Sequence, residues 1–259
     1  METMETTTLG TATGTALRLN LTSTTELTNF LNKFKPISGS LLIEIEGGYL
    51  KAKTHTPERS VVKSSKIELS RVFEFDGEVE EKILFGVYSL EKLIKSFSHF
   101  EGAPLTFTLR TEKTADGVVG TDIILQNDSL TINFQCATLR LFTHITDELM
   151  DRISDTSSAQ IDFVLTKELQ SRINSLAAID SDQKLLTLKL NNGALKASSK
   201  SFDLNLLTID TNEANLDISV YKTQFAFLDK EDAKVYMNED RLIVHSIETD
   251  TKTIIGKAE

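Results

Sequence analysis

Ser89–Phe100, SLEKLIKSFSHF, is the stretch from which the rest of the chain can be read. Leu90, Leu93, Ile94 and Phe97 fall at i, i+3, i+4 and i+7, so a helix here has one apolar face. Ser89 stands where an N-cap belongs, with a side-chain oxygen to accept a free N–H of the first turn. The other face carries Lys92, Lys95 and Ser96, with His99 at the end. Ser23-Thr24-Thr25-Glu26 is a capping-box pattern followed by Leu27, Phe30, Leu31 and Phe34. Lys33 and Lys35 lie near the end of that helix, and Pro36 stops it. Thr166 caps a third, with Leu169, Ile173 and Leu176 inward and Lys167 and Arg172 on polar positions. Lys222–Leu228 is a fourth, shorter and less regular in its apolar spacing.

The 259 residues suit one large domain or two ordinary ones. At 40% hydrophobic and 25% charged the chain can build a core, which excludes wholesale disorder. The single cysteine, Cys136, rules out an internal disulfide and fits a reducing compartment. No run reaches the length of a membrane span and no signal peptide opens the chain, so a soluble, cytoplasmic protein without a membrane partner is expected. A net charge of −10 argues against a protein coated in nucleic acid. The four helix windows nevertheless hold seven basic residues (Lys33, Lys35, Lys92, Lys95, Lys167, Arg172, Lys222) against three acidic ones (Glu26, Glu91, Glu168). Helices sharing one surface would make it basic within an acidic protein. The same lysines also suit an ordinary solvated helix face, and charge alone leaves both open.

Around these helices the chain alternates. Residues 1–16 are Thr-rich and aperiodic, a disordered tail or a leftover of cloning. Leu17–Leu21 is a short strand before the first helix, and Leu41–Thr54 a hairpin turning at Gly47-Gly48. Val61–Phe75 holds at least one strand, and Ile83–Tyr88 leads into the second helix. A hairpin over Asp122–Phe134 turns at Asn127-Asp128, and Leu139–Ile145 is a further strand. Residues 146–160 turn polar, with only Leu149, Met150 and Ile153 apolar, and form an interdomain connector. Ile161–Leu165 is the strand before the third helix, followed by a hairpin over Leu185–Ser198 that turns at Asn192-Gly193. Phe202–Ile209 and Leu216–Tyr221 are strands, Val235–His245 is the last hairpin, and Thr251–Ile255 the last strand. Aligned on their turns, the four hairpins share a frame of one apolar residue, four turn residues and Leu. The unit is strand–helix–strand–strand, four times over, two per half. The domains are then 17–145 and 161–259, joined by 146–160.

Catalytic chemistry is missing from the pattern. His55, His99, His144 and His245 are scattered, and Cys136 sits in an alternating strand as a small hydrophobe. There is no G-x-x-x-x-G-K or G-x-G-x-x-G. Asp180-Ser-Asp182 and Asp229-Lys-Glu-Asp232 follow helices where polar turns belong, and lack the Gly and Glu of a calcium loop. No cofactor and no metal are expected. The pattern points away from an enzyme and towards a binding or structural role.

The fourfold layout, the helix placement and phrases such as SLEKLIKSF and LTLKLNNGALKASS resemble the DNA sliding clamp family, nearest to the trimeric polymerase processivity clamps of large tailed bacteriophages. The resemblance covers Leu17 to about Glu259. It implies an α+β fold of two similar clamp domains, with helices on one face of antiparallel sheets. It further implies a homotrimeric ring around double-stranded DNA, held without sequence preference, that tethers a DNA polymerase and is opened by a clamp loader. Lys33, Lys35, Lys92, Lys95, Lys167, Arg172 and Lys222 would face the DNA. Partner peptides would dock near the connector, for which Leu149, Met150 and Ile153 are candidates, although these can equally pin the connector to the sheet. Rival roles are a β-rich phage tail or baseplate protein, and a processivity factor of the same fold that does not close a ring.

Overall fold

The structure, a computed structural model, describes residues 14–75, 79–100, 102–115, 117–180, 182–210 and 215–258. Most of the expected tail, and part of the segment before Ile83, lie outside the described residues. The chain forms two compact units. One takes the chain up to Lys53 and again over Lys66–His144; the other takes Thr54–Ser65 and everything from Ile145 onward.

The first unit runs β1 (Gly14–Leu21), α1 (Thr24–Asn32), β2 (Leu41–Glu46), β3 (Tyr49–His55) and β4 (Val61–Glu68), the last two shared between the units. A single turn α2 (Leu69–Val72) and a short β5 (Phe73–Glu74) lead to β6 (Ile83–Val87) and α3 (Leu90–Phe97). Then follow β7 (Leu105–Thr114), β8 (Gly117–Gln126) and β9 (Thr131–Gln135). The second unit contains α4 (Asp147–Ile153), β10 (Ile161–Leu165), α5 (Lys167–Ile179), β11 (Leu185–Asn191), β12 (Ala194–Ser199) and β13 (Phe202–Thr208). It closes with β14 (Asn215–Tyr221), α6 (Lys222–Phe225), β15 (Ala233–Met237), β16 (Arg241–Ser246) and β17 (Asp250–Gly256).

The repeat is one strand, one helix and three strands, rather than the helix and two strands expected. β7 is the additional strand, although Leu105, Phe107 and Leu109 alternate cleanly and are all buried. It displaces the second hairpin by one strand from the expected place. The hairpin after α3 joins β7 to β8, while Asn127-Asp128 joins β8 to β9. There the Asn127 side chain accepts from the backbone N–H of Ser129 and Leu130, at 3.0 and 2.8 Å.

Strand pairing is reciprocal. In the first unit β1 pairs with β7, and β6 with β2; in the second, β10 pairs with β15, and β14 with β11. The opening strand of each repeat thus pairs with the strand after the helix of its sister, antiparallel in every case. Each repeat is completed by the other, so neither buries its apolar face alone. The first unit's core gathers Leu27, Phe30 and Leu31 of α1, Leu90, Leu93 and Phe97 of α3, and the inward residues of both strand sets.

Two tight turns follow backbone chemistry. Gly47 and Gly48 have φ of 55° and 78°, and Asn192 and Gly193 have 47° and 80°. These left-handed pairs match the twist of a two-residue hairpin, which Gly and Asn adopt at little cost.

Three further expectations change. Leu139–Ile145 is not a strand: after Ala137 bonds to the Gly86 carbonyl at 2.8 Å, Leu139–Leu141 makes a 3₁₀ turn. The Phe142 ring then lies over Gly86, 2.5 Å from where a β-carbon would be, so the segment crosses β6 instead of extending the sheet. The connector is not all loop, because Thr146 caps α4 by accepting from Leu149 N–H at 3.2 Å. The fourth helix ends at Phe225, with turns carrying the chain to Leu228.

Candidate nucleic-acid interface

In the first unit α1 and α3 pack side by side. Ser23 caps α1 through Glu26 N–H at 3.1 Å. Phe30 and Phe34, in edge contact at 5.5 Å, hold its C-terminal turn inward. Lys33, half-buried, is the C-cap and Lys35, exposed, follows, one on each side of the buried Phe34. Cations at this end complement the helix dipole.

α3 is the clearest amphipathic element. Leu90, Leu93 and Phe97 are buried, and at ~100° per residue Lys92 and Lys95 fall opposite that stripe. Both are exposed, and the Lys95 side chain stands 72% open. Glu91 pairs with Lys95 at 2.8 Å, and Lys95 followed by Lys35 holds its carboxyl below the usual carboxylate range. Lys35, just past the end of α1, therefore lies within electrostatic reach of α3. Ser96 and Ser98 turn their hydroxyls back to the Lys92 and Lys95 carbonyls at 2.7 and 2.8 Å, so both hydroxyls are used at the helix end.

In the second unit α5 is capped by Thr166, which accepts from Leu169 N–H at 3.3 Å. Gln170 and Ile173 are buried, and exposed Lys167 and Arg172 lie either side of the outward direction. Lys167 stands in the first turn, where a cation opposes the helix dipole; Asp232 offsets this by accepting from Lys167 N–H at 2.8 Å.

Lys222 departs from the expected set. Its side chain is only 12% exposed, and its ammonium donates to the carbonyls of Asp180 (2.6 Å) and Ala177 (3.2 Å) at the end of α5. α6 is one turn long, so its first residue reaches the C-terminus of α5 rather than solvent. Lys222 is a brace, with its donors already used.

The polar clusters are structural. Asp180 accepts from Ser199 Oγ at 2.8 Å and from Ser201 N–H at 3.2 Å. Asp229 pairs with the buried Lys63, which also donates to the Phe227 carbonyl at 2.9 Å. Burial, with Asp122 adding to it, pushes the Cys136 thiol up to about 12, leaving it protonated and unreactive at neutral pH.

The three connector residues lie on one small cluster in the second unit. Met150 is buried against Ile145, Ile243 and Ile254, and Leu149, Ile153, Val62 and Tyr236 pack round it partly exposed. Cross-strand partners share a face, so Tyr236, Ile243 and Ile254 form one row across β15–β17. Lys234, His245 and Lys252 form the row beside it.

No protein-family model matches the sequence, and no curated protein matches it. Solved structures do. A crystal structure of PCNA from Thermococcus kodakaraensis is 10% identical, covers 93% of this chain and 98% of its own, and has a TM-score of 0.62. That of proliferating cellular nuclear antigen from Entamoeba histolytica is 11% identical over 93% and 98%, at 0.65. The DNA polymerase III beta subunit of Thermotoga maritima is 14% identical over 93% of this chain and 65% of its own, at 0.63. A fourth, 10% identical over 93% and 97% at 0.62, is the C-terminal region of FEN-1 bound to A. fulgidus PCNA. Identities this low speak to architecture alone, and on that they agree: this chain has the α+β, two-domain fold of the DNA sliding clamps.

Proposed function

We propose that the protein is a sliding clamp: three chains close as a ring around duplex DNA and tether a replicative DNA polymerase, after a clamp loader opens the ring. One observation carries this, the sliding-clamp fold over 93% of the chain with exposed lysines opposite the buried stripe of α3. Lys33, Lys35, Lys92 and Lys95 in the first unit, and Lys167 and Arg172 in the second, are the DNA-facing set; Lys222 is withdrawn from it. A few phosphate contacts without base readout let a ring slide, and residence comes from topology rather than affinity. An overall charge of −10 then keeps DNA off the outside. The domains divide at 146–160, and the site of action is the cytoplasm, the host's if the chain is phage-encoded. No residue need do chemistry. The solved complex of a PCNA with a C-terminal region of FEN-1 supports a further part of the proposal, that partners dock by short terminal segments; the place proposed for them is near the connector, where Leu149, Met150 and Ile153 lie.

The test is retention on DNA. Loaded protein should stay on nicked circular DNA and slide off once the circle is linearised, with a solution mass near three 28.8 kDa chains. Lys92→Glu with Lys95→Glu should impair loading and processive synthesis while leaving fold and mass intact, and each phosphate-binding cation removed should lower the salt slope of DNA binding by about 0.9. Equal retention on circular and linear DNA would sink the ring.

A further inference from the structure

We propose that α4 is a built-in occupant of a docking face: its apolar side covers the row Tyr236–Ile243–Ile254, and a partner peptide of like chemistry binds there by displacing it. That a partner uses this face rests on the clamp reading; that α4 covers it does not.

Four observations support this. On α4, Ile153 stands three residues after Met150 and four after Leu149, the spacings by which a short amphipathic helix enters a groove. They meet a cluster of their own, separate from the first unit's core, in which Met150 is the one residue of α4 that is buried. α4 has seven residues, too few to hold a helix unaided, so it is helical because it is docked. Once lifted it unfolds, and residues 154–157 give it slack before Ser158, which Asn238 holds.

Charge complementarity describes the competitor. α4 turns Asp147, Glu148, Asp151 and Arg152 to its outer side, away from the sheet, and Asp155 stands just beyond it. The sheet face offers Lys234, Arg241 and Lys252 about the apolar row. Ser157 first, and Arg241 with it, hold the Asp155 carboxyl below its usual range, so Arg241 is within reach of the connector's acids. Lys234 stacks over the Tyr236 ring at 5.0 Å and pairs with Asp162 at 2.9 Å, which keeps its charge beside the row. The peptide that fits is therefore short and helical, apolar at α4's spacing, with a carboxylate just after the helix where Asp155 stands near Arg241.

Self-occupancy reverses the sign of the obvious experiment. If the three connector residues line the docking site, removing them weakens peptide binding; if they fill it, removing them strengthens binding. A tethered occupant competes at an effective concentration on the order of millimolar, so only a well-matched partner displaces it.

The test uses a fluorescent synthetic peptide of the chain's own residues 145–155, added to the full-length protein and followed by anisotropy. The probe should bind the variant Leu149→Ser/Met150→Ser/Ile153→Ser about tenfold or more tighter than it binds the wild type. Arg241→Glu in that background should reduce the gain. Equal affinity for wild type and triple variant would overturn the proposal, as would no binding to a triple variant of unchanged solution mass. Should the triple variant not fold, hydrogen exchange on the wild type decides. Excess unlabelled peptide should strip protection from α4 and leave β15–β17 protected; unchanged α4 protection overturns it. Circular-DNA retention of the wild type is scored separately, so failure of the clamp role and failure of the α4 role are distinguishable.

Discussion

α3 and α6 occupy the same place in their repeats, each following the opening strand, and they use their lysines in opposite ways. α3 has eight residues, enough for a full apolar stripe and a separate face from which Lys92 and Lys95 project. α6 has four, so it has no outer face, and Lys222 turns in to cap the end of α5. A lysine in a helix window projects to solvent only where the helix is long enough to own two sides. Lys63, wholly buried beside Asp229, shows the far end of the same range.

This contrast orders the expected effects. Lys63→Ala should cost most, about 3–5 kcal/mol, because Asp229 is left as a buried charge without its cation. Urea unfolding measures it, and Lys63→Met combined with Asp229→Leu should recover much of the loss; if the single variant is neutral, the pair is not what holds this region. Lys222→Ala comes next at about 1–3 kcal/mol, since two carbonyls at the end of α5 lose their donor. If it behaves like a surface lysine instead, with full stability and weakened DNA retention, Lys222 returns to the DNA-facing set.

His245 is the intermediate case, half-buried with its ring 5.2 Å from that of Tyr236. Burial holds its pKa below the ordinary 6.5, with Lys252 and Lys234 adding repulsion and Asp250 opposing them. The unfolded chain therefore binds the proton first as pH falls. The stability from keeping this ring neutral is present above about pH 6.5 and lost as pH drops through the folded value. His245→Gln should flatten that part of the profile between about pH 7.5 and 5, read from urea midpoints; an unchanged slope would assign the pH dependence elsewhere. Smallest in stability are Lys92→Ala and Lys95→Ala, within about 0.5 kcal/mol of wild type. An exposed i, i+4 pair such as Glu91–Lys95 adds little. A large stability loss there would mean that α3's outer face is packed against something.

Much of the fold is readable because period is local. Ser23, Ser89 and Thr166 cap their helices as their positions require, and Asn192-Gly193 turns where its backbone preference demands. β7 alternates just as regularly, and leaving it out of the repeat slides the second hairpin off its true equivalent. The candidate site is less legible. Lys92 and Lys95 can be placed opposite an apolar stripe from spacing alone, but nothing in the residues around Lys222 announces that the carbonyls of Ala177 and Asp180 lie within its reach. The connector likewise reads as polar loop, although Thr146 caps α4 and Met150 is buried on the apolar row of β15–β17.

What the sequence determined by itself is what depends on near neighbours: the caps, the turns, the alternating strands, the fourfold recurrence and the two-sidedness of α3. What the tertiary structure alone decided is which repeat completes which, that Thr54–Ser65 belongs with the second unit, that Lys222 and Lys63 are spent inside, and where Leu149, Met150 and Ile153 rest. Periodicity and capping are set within a turn or two of chain, whereas burial and charge pairing depend on residues brought together from far apart, such as Lys63 and Asp229.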